Sequence, residues 1–341
     1  NVVFQVGHNT LRLMTAGMDA RPVRADELAS MERLLEEGLE AGAWGLSSGL
    51  FTAPGCHADA AEIHALARVL RRHGARYSSH VRNEAAEVFE AVREAIAVAE
   101  TTGVHVQIAH LKLSGVDNWG GAERLLGEIE AARRRGVPVD CDAYPYEAAT
   151  NPLRNLLPSW VQEGGIGAML ERLGQAPVRE RLRADVARHG VGSFGRLPSW
   201  KAVRVAVSPN LPELAGLTLD EIARRRAVDP FDALCDHLVA DRGATRVVFA
   251  SMAEADVRRI SGAPWTLVGS DGNSLATSGV TSQGMPHPRF YGTFARVVGP
   301  YVRELGLLSL PQAVHKMTGG SAAALGLADR GLLREGYRAD V

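Results

Sequence analysis

The sequence predicts an α/β protein built on a (β/α)8 barrel, and three observations carry that expectation. Short β-branched runs alternate with longer amphipathic segments, the signature of a parallel sheet with crossover helices. His80, His110, Asp142 and Asp271 each close a separate strand-like run, and in a barrel that end of the strands is the catalytic rim. No Gly-x-Gly-x-x-Gly turn follows any strand, as an open nucleotide-binding sheet would favour.

The strand-like runs fall at 2–6, 43–47, 76–80, 104–109, 137–142, 245–249 and 265–270. Stretches with apolar residues three and four apart, the helical period, cover 26–41, 58–73, 85–101, 119–135 and 290–305. Asp26 and Asp59 suit helix starts, where a carboxylate accepts from free backbone N–H groups. Gly74, Gly103 and Gly136 fall where helices should end. One segment breaks the rhythm: 147–217 holds Pro152, Pro158, Gly164, Gly165, Pro198 and Pro209 around short helices at 166–174 and 176–188. An irregular insertion of that length inside a domain acts as a lid or specificity wall, or is a passive surface excursion.

The 341 residues suffice for one large barrel or two ordinary domains. With 46% hydrophobic and 23% charged residues the chain has the balance of a globular enzyme. A formal net charge of -1 gives no pull toward nucleic acid, or toward an anionic membrane, and no apolar run is long enough to span a bilayer. Cys56, Cys141 and Cys235 form no disulfide framework and no Cys-x-x-Cys pair, so a reducing, cytoplasmic compartment is the default.

The chemistry concentrates in three motifs: SSHVRNE at 78–84, IAHLK at 108–112 and GSDG at 269–272. Neutral imidazole and carboxylate are the usual zinc ligands of hydrolases. A single strand-end His is more often a satisfied polar residue than a ligand; three such residues on three strand ends point to a shared task. His80, His110 and Asp271 are therefore the expected metal ligands, for one or two Zn²⁺.

With DAYPY at 142–146 and HPRFYGTFARVV at 287–298, these motifs resemble the successive strand-end motifs of the D-aminoacylases, the N-acyl-D-amino-acid deacylases of the amidohydrolase superfamily. GHNTLR at 7–12 and the run from Met317 to Val341 resemble the same family's flanks. The resemblance implies hydrolysis of the amide bond of a small N-acyl-D-amino acid, giving a carboxylate and a D-amino acid. It places His80 and His110 on barrel strands five and six, Tyr144 just beyond strand seven and Asp271 at the end of strand eight. Asp271 would be both ligand and general base. Lys112 and Tyr144 would bind the substrate carboxylate or polarise the acyl oxygen. Arg289 and Tyr291 would add a carboxylate contact, and Arg82 and Glu84 would orient the ligands from behind.

The departures matter too. The family's strand-one His-x-His pair and early metal-ligating Cys are not in this sequence, and none of the three cysteines matches that position. The expectation is a partial barrel, about strands 3 to 8, within 1–326, with 147–217 inserted after strand 7 and 327–341 returning toward a small β domain. Its two open edges would pair readily with other chains, and such a piece should be poorly stable and inactive alone.

Rival readings remain. A cyclic amidase of the dihydroorotase or hydantoinase kind would use the same barrel, but it usually carries a metal-bridging carboxylated Lys. No lysine here, chiefly Lys112, Lys201 and Lys316, fits that role. A non-catalytic binding barrel is the other. GLSSG at 45–49 matches the Gly-x-Ser-x-Gly elbow of serine hydrolases, but Pro54 and Gly55 follow where a helix should start at once. His57 and His64 read as a cap and a surface residue. The runs Arg133–Arg135 and Arg224–Arg226 oppose the dipoles of helix C-termini, and Trp160 and Trp200 read as packing.

Overall fold

The structure is a computed structural model that describes residues 2–340. Nine strands occur among the described residues: β1 (Gln5–Gly7), β2 (Gly45–Gly49), β3 (Arg76–His80), β4 (His105–Ile108), β5 (Val139–Ala143), β6 (Ala148–Pro152), β7 (Val203–Val207), β8 (Arg246–Ala250) and β9 (Thr266–Val268). Six of them form a parallel sheet in the order β1-β2-β3-β4-β5-β9. Helices α1 (His8–Thr15), α2 (Ala25–Glu40), α3 (Ala60–Arg72), α4 (Val88–Thr102) and α5 (Ala122–Arg134) connect the first five strands.

The helices are amphipathic, and their apolar stripes meet one face of the sheet. Met31 and Leu35 of α2, Ile63, Leu66 and Leu70 of α3, Val92 and Ile96 of α4, and Leu125 and Ile129 of α5 are buried there. The strands answer with Leu46, Tyr77, Val106, Ile108, Val139 and Cys141. Because side chains alternate along a strand, the other face carries Ser78, Gln107, Asp140 and Asp142, with Ser78 beside Gln107 and Gln107 beside Asp140 in register. The sequence therefore makes one face a core and the other a polar wall that leads to the strand ends.

Local signals act much as expected, with shifts. Asp59 caps α3 by accepting from the Glu62 N–H at 2.9 Å, and Gly103 ends α4 in the left-handed region at φ 68°. Asp26 is not the cap of α2. The helix starts at Ala25, and Glu27 reaches back to accept from the Arg24 N–H at 2.7 Å. The expected helix at 290–305 is an α-helix, Arg289–Arg296, continued by a π-type run, Val297–Glu304. Pro300 lies inside that run; it has no N–H to donate, and its ring disfavours regular α geometry.

Two expectations are corrected. The run at 245–249 does not join the parallel alternation. As β8 it is the centre of a second, antiparallel sheet, ordered β6-β8-β7. Its buried Val247 and Phe249 show the same alternation a parallel strand would, so only the partner decides the direction. The irregular stretch does not end at 217 either. Its expected helices stand at Gly165–Leu173 and Ala176–His189, and the unit runs on through Leu219–Arg226 and Pro230–Ala240 into β8. It has its own core of Leu153, Leu156, Val161, Val203, Phe231, Leu234 and Phe249. Residues 327–340 form turns and no strand. No helix among the described residues is long and apolar enough to cross a membrane.

Candidate active site

Polar residues from four strand ends, those of β3, β4, β5 and β9, meet at the C-terminal edge of the parallel sheet. His80 is the last residue of β3 and His110 lies two residues beyond β4. Their rings meet edge-on, His80 Nδ1 2.9 Å from His110 Nε2. Glu84 completes the group: its Oε1 lies 3.4 Å from His80 Nε2 and 3.3 Å from His110 Nδ1. Among the described residues these three form the one group whose ligand atoms all lie within 4.8 Å of one another. Phe51, from the loop after β2, stacks on His80 with centroids 4.0 Å apart.

The turn that carries His110 is built rather than incidental. His110 has φ 38°, a region non-glycine residues rarely occupy. Asp142, at the end of β5, holds it there: Oδ1 accepts from the His110 backbone N–H at 2.8 Å and Oδ2 from Gln107 Nε2 at 2.8 Å. A side chain at Gly269, just past the neighbouring strand β9, would crowd that carboxylate, since a Cβ there would lie 2.7 Å from Asp142 Oδ1. The sequence placed Asp142 at a strand end but did not show it as the brace of its neighbour.

Burial sets the protonation. It pushes the His80 imidazole well below its usual range, and nearby His110, Lys112 and Arg289 push the same way against Glu84. His80 is thus neutral at pH 7, and its buried Nε2 has no hydrogen-bond partner. Burial alone would raise the Glu84 carboxyl, but Lys112, then His80 and His110, outweigh it and hold it well below the usual carboxylate range. Burial works against the Lys112 ammonium too, and Glu84 overcomes it, so Lys112 is raised. Lys112 Nζ lies 2.5 Å from Glu84 Oε1 and 2.7 Å from His110 Nδ1. The Lys112 ammonium thus already sits between the Glu84 carboxylate and His110 Nδ1.

A cavity of about 260 Å³ opens on this group. His80, Glu84, His110, Lys112, Tyr144, Asp271 and Arg289 all line it. Asp271 is not within the His80–Glu84–His110 group. It is held at φ 45°, and its Oδ2 pairs with Arg289 Nη2 at 2.8 Å. The buried Arg289 guanidinium crosses the Tyr144 ring, 4.6 Å from its centroid. Burial raises the Tyr144 phenol, and the Tyr144 hydroxyl and Arg289 Nε are both buried without a partner.

Two expected residues are not brought in. Tyr291 is exposed and its hydroxyl donates to the Ala276 carbonyl at 3.3 Å. Arg82 turns away from the imidazoles to Glu94, at 2.8 Å, and to the carbonyls of Cys56 and Ala58. Its contacts brace the loop after β2, not the His pair. Sequence reasoning gave Glu84 a supporting place only; the structure sets it among the metal-capable groups. It also gave His287 no role. His287 Nδ1 accepts from the Arg289 N–H at 2.9 Å, Nε2 donates to the Ala148 carbonyl at 2.9 Å, and burial lowers its pKa to about 4. The one available signal was its place two residues before Arg289, at a helix start. The Gly-x-Ser-x-Gly run is β2 itself, with no helix directly after it, and the motif's serine, Ser47, donates to the Val6 carbonyl at 3.5 Å.

Known proteins share this architecture. The chain is 37% identical over its whole length to an N-acyl-D-glutamate deacylase and 34% identical to a D-aminoacylase, both from Alcaligenes xylosoxydans xylosoxydans. It spans 59% and 60% of their lengths. A crystal structure of the N-acyl-D-glutamate deacylase of Bordetella bronchiseptica, complexed with zinc and a phosphonate mimic of the reaction's tetrahedral intermediate, superposes with TM-score 0.79 at 34% identity, covering all of this chain and 61% of that one. A D-aminoacylase crystal structure gives 0.78 at 33% identity, over all of this chain and 61% of that one. The sequence pattern of the amidohydrolase family matches residues 4–341, and the chain belongs to that family.

Proposed function

We propose that the protein hydrolyses the amide bond of N-acyl-D-amino acids with the help of zinc. The observation that carries this reading is one cavity in which two imidazoles and a carboxylate converge beside Lys112, Tyr144, Arg289 and Asp271. The relatives' names and the zinc-bound neighbour support the same reaction class.

The donor set fits zinc: a neutral imidazole with an orphaned buried nitrogen, a second imidazole, and a carboxylate held ionised. His80, His110 and Glu84 would hold the ion, with Asp142 fixing the backbone turn that carries His110. Zinc, when bound, supplies Lewis acidity, which makes water a nucleophile near neutral pH and polarises a carbonyl. Asp271 lines the cavity from outside the group and takes the proton from the attacking water. It then returns that proton to the amine nitrogen as the C–N bond breaks. Arg289 holds the Asp271 carboxylate in place. The Tyr144 hydroxyl and Arg289 Nε, both without a protein partner, offer donors to the substrate carboxylate. Asp271 as a further ligand, from the sequence, is kept as part of this proposal.

The six parallel strands are, in this reading, strands 3 to 8 of an eight-stranded barrel. His80 and His110 then stand on strands five and six and Asp271 after strand eight. The unit around the antiparallel sheet closes one wall of the cavity through Thr150 and Asn151, which supports a part in substrate selection. The test is release of free amino acid from N-acetyl-D- and N-acetyl-L-amino acids by the full-length natural protein, with and without a chelator. Turnover of the D series alone, abolished by the chelator, is expected. Equal turnover of both series, or none with zinc supplied, contradicts the reading.

A further inference from the structure

The charges of the cavity do not balance. Five formally charged side chains line it near the imidazoles: Glu84 and Asp271, Lys112, Arg289 and Arg246. Lys112 is matched by Glu84 and Arg289 by Asp271. Arg246 has no ion pair and no side-chain hydrogen bond among the described residues, although it is half-buried.

Its setting makes that costly. Arg246 opens β8, in register with Pro152 of β6, so it enters the cavity from the antiparallel sheet and not from the strand ends that carry the imidazoles. Burial and the neighbouring Arg289 and Arg154 all act against its charge, with Asp271 the opposing influence. A guanidinium stays protonated in such a place. A half-buried cation without a counter-ion, facing a cavity, is satisfied when an anion enters.

We propose that Arg246 binds a second carboxylate of the substrate, making this a site for N-acyl-D-amino acids with an acidic side chain. The inference rests on the deacylase reading above. In that reading the α-carboxylate goes to Tyr144 and Arg289 on the parallel-sheet side, and the side-chain carboxylate crosses to Arg246 on the opposite wall. Thr150 and Asn151, which line the same wall, frame the space between. Arg246 is a specificity residue here and takes no part in proton transfer.

The experiment compares kcat/KM for N-acetyl-D-glutamate, N-acetyl-D-aspartate and N-acetyl-D-methionine in the zinc-loaded full-length natural protein and in its Arg246→Met and Arg246→Lys variants. Calorimetric binding of the same three compounds is measured in parallel. The wild type should prefer an acidic substrate over the methionine one by about 30-fold or more, the scale of a matched buried charge pair. Arg246→Met should collapse that ratio, mainly through KM, and Arg246→Lys should restore part of it. Thermal melting confirms that each variant folds; if Arg246→Met does not, the wild-type ratio and the lysine variant decide. Equal use of all three substrates by the wild type, or an equal loss on all three in the variant, overturns the role of Arg246 and leaves the deacylase reading standing. Failure of the wild type to hydrolyse any of them sinks the deacylase reading, and the acidic-substrate inference with it.

Discussion

Asp271 and Arg289, both lining the cavity, form an ion pair at 2.8 Å, one partner half-exposed and the other almost fully buried. The pair fixes a carboxylate on a backbone at φ 45°, a conformation that costs energy to hold and recurs at functional sites.

Asp271→Asn keeps the shape of the side chain and one acceptor but cannot take a proton. In the zinc-loaded protein kcat should fall ~10²-fold or more, the scale of lost general-base catalysis. Stability should fall by only about 1 kcal/mol, since the pair is screened by solvent on the Asp271 side. Steady-state kinetics beside a melting curve checks both, and kcat within a few-fold of wild type removes Asp271 from the mechanism.

Lys112 and Glu84 are a different kind of pair, both buried. Removing one partner leaves an uncompensated buried charge. Glu84→Gln should therefore destabilise the metal-free protein by about 3–5 kcal/mol, and Glu84→Gln combined with Lys112→Met by clearly less than the sum of the two single changes. A urea double-mutant cycle measures this; strict additivity would show that the two groups do not compensate each other.

Asp142 acts through His110. Asp142→Ala removes the acceptor of both the His110 backbone N–H and Gln107. Zinc affinity should drop about 10- to 100-fold, the cost of losing the partner that orients a ligand. Competition with a fluorescent chelator reads this directly, and Asp142→Asn should recover part of the loss. An unchanged affinity would make Asp142 a purely structural acceptor.

Two buried histidines away from the ligand group set an acid limit. Burial lowers both His237 and His287 from 6.5 to about 4. Between those values the unfolded chain binds protons that the folded chain refuses, so stability is full above pH 6.5 and is lost as pH falls toward 4. Each site contributes at most about 3 kcal/mol of that loss. His237→Phe should flatten the fall between those pH values by roughly one site's share. The check is urea unfolding across the range, and an unchanged slope in the variant contradicts it.

The sequence shows the alternation well because each crossover helix has a clean apolar stripe and each parallel strand is short. The strand-end places of His80 and His110 were legible because one closes a strand and the other follows one by two residues. Glu84 was harder: it stands four residues beyond β3 in a loop, and only the fold brings it within 3.4 Å of both rings. The second sheet was hidden for a similar reason. Val247 and Phe249 alternate as any half-buried strand does, and their partners in β6 and β7 lie far away in sequence. Tyr291 shows the reverse error. It lies two residues from Arg289, and on a helix that separation turns a side chain to another face.

The central claim is that His80, Glu84 and His110 hold zinc, and the most direct measurement is zinc bound per chain after equilibration against a buffered metal solution. The wild type should retain zinc. His80→Ala and His110→Ala should each lose at least nine-tenths of it, on the order of the effect of deleting a ligand from a site with three or four, while keeping the wild-type circular dichroism spectrum. Wild-type zinc content in both folded variants would contradict the account.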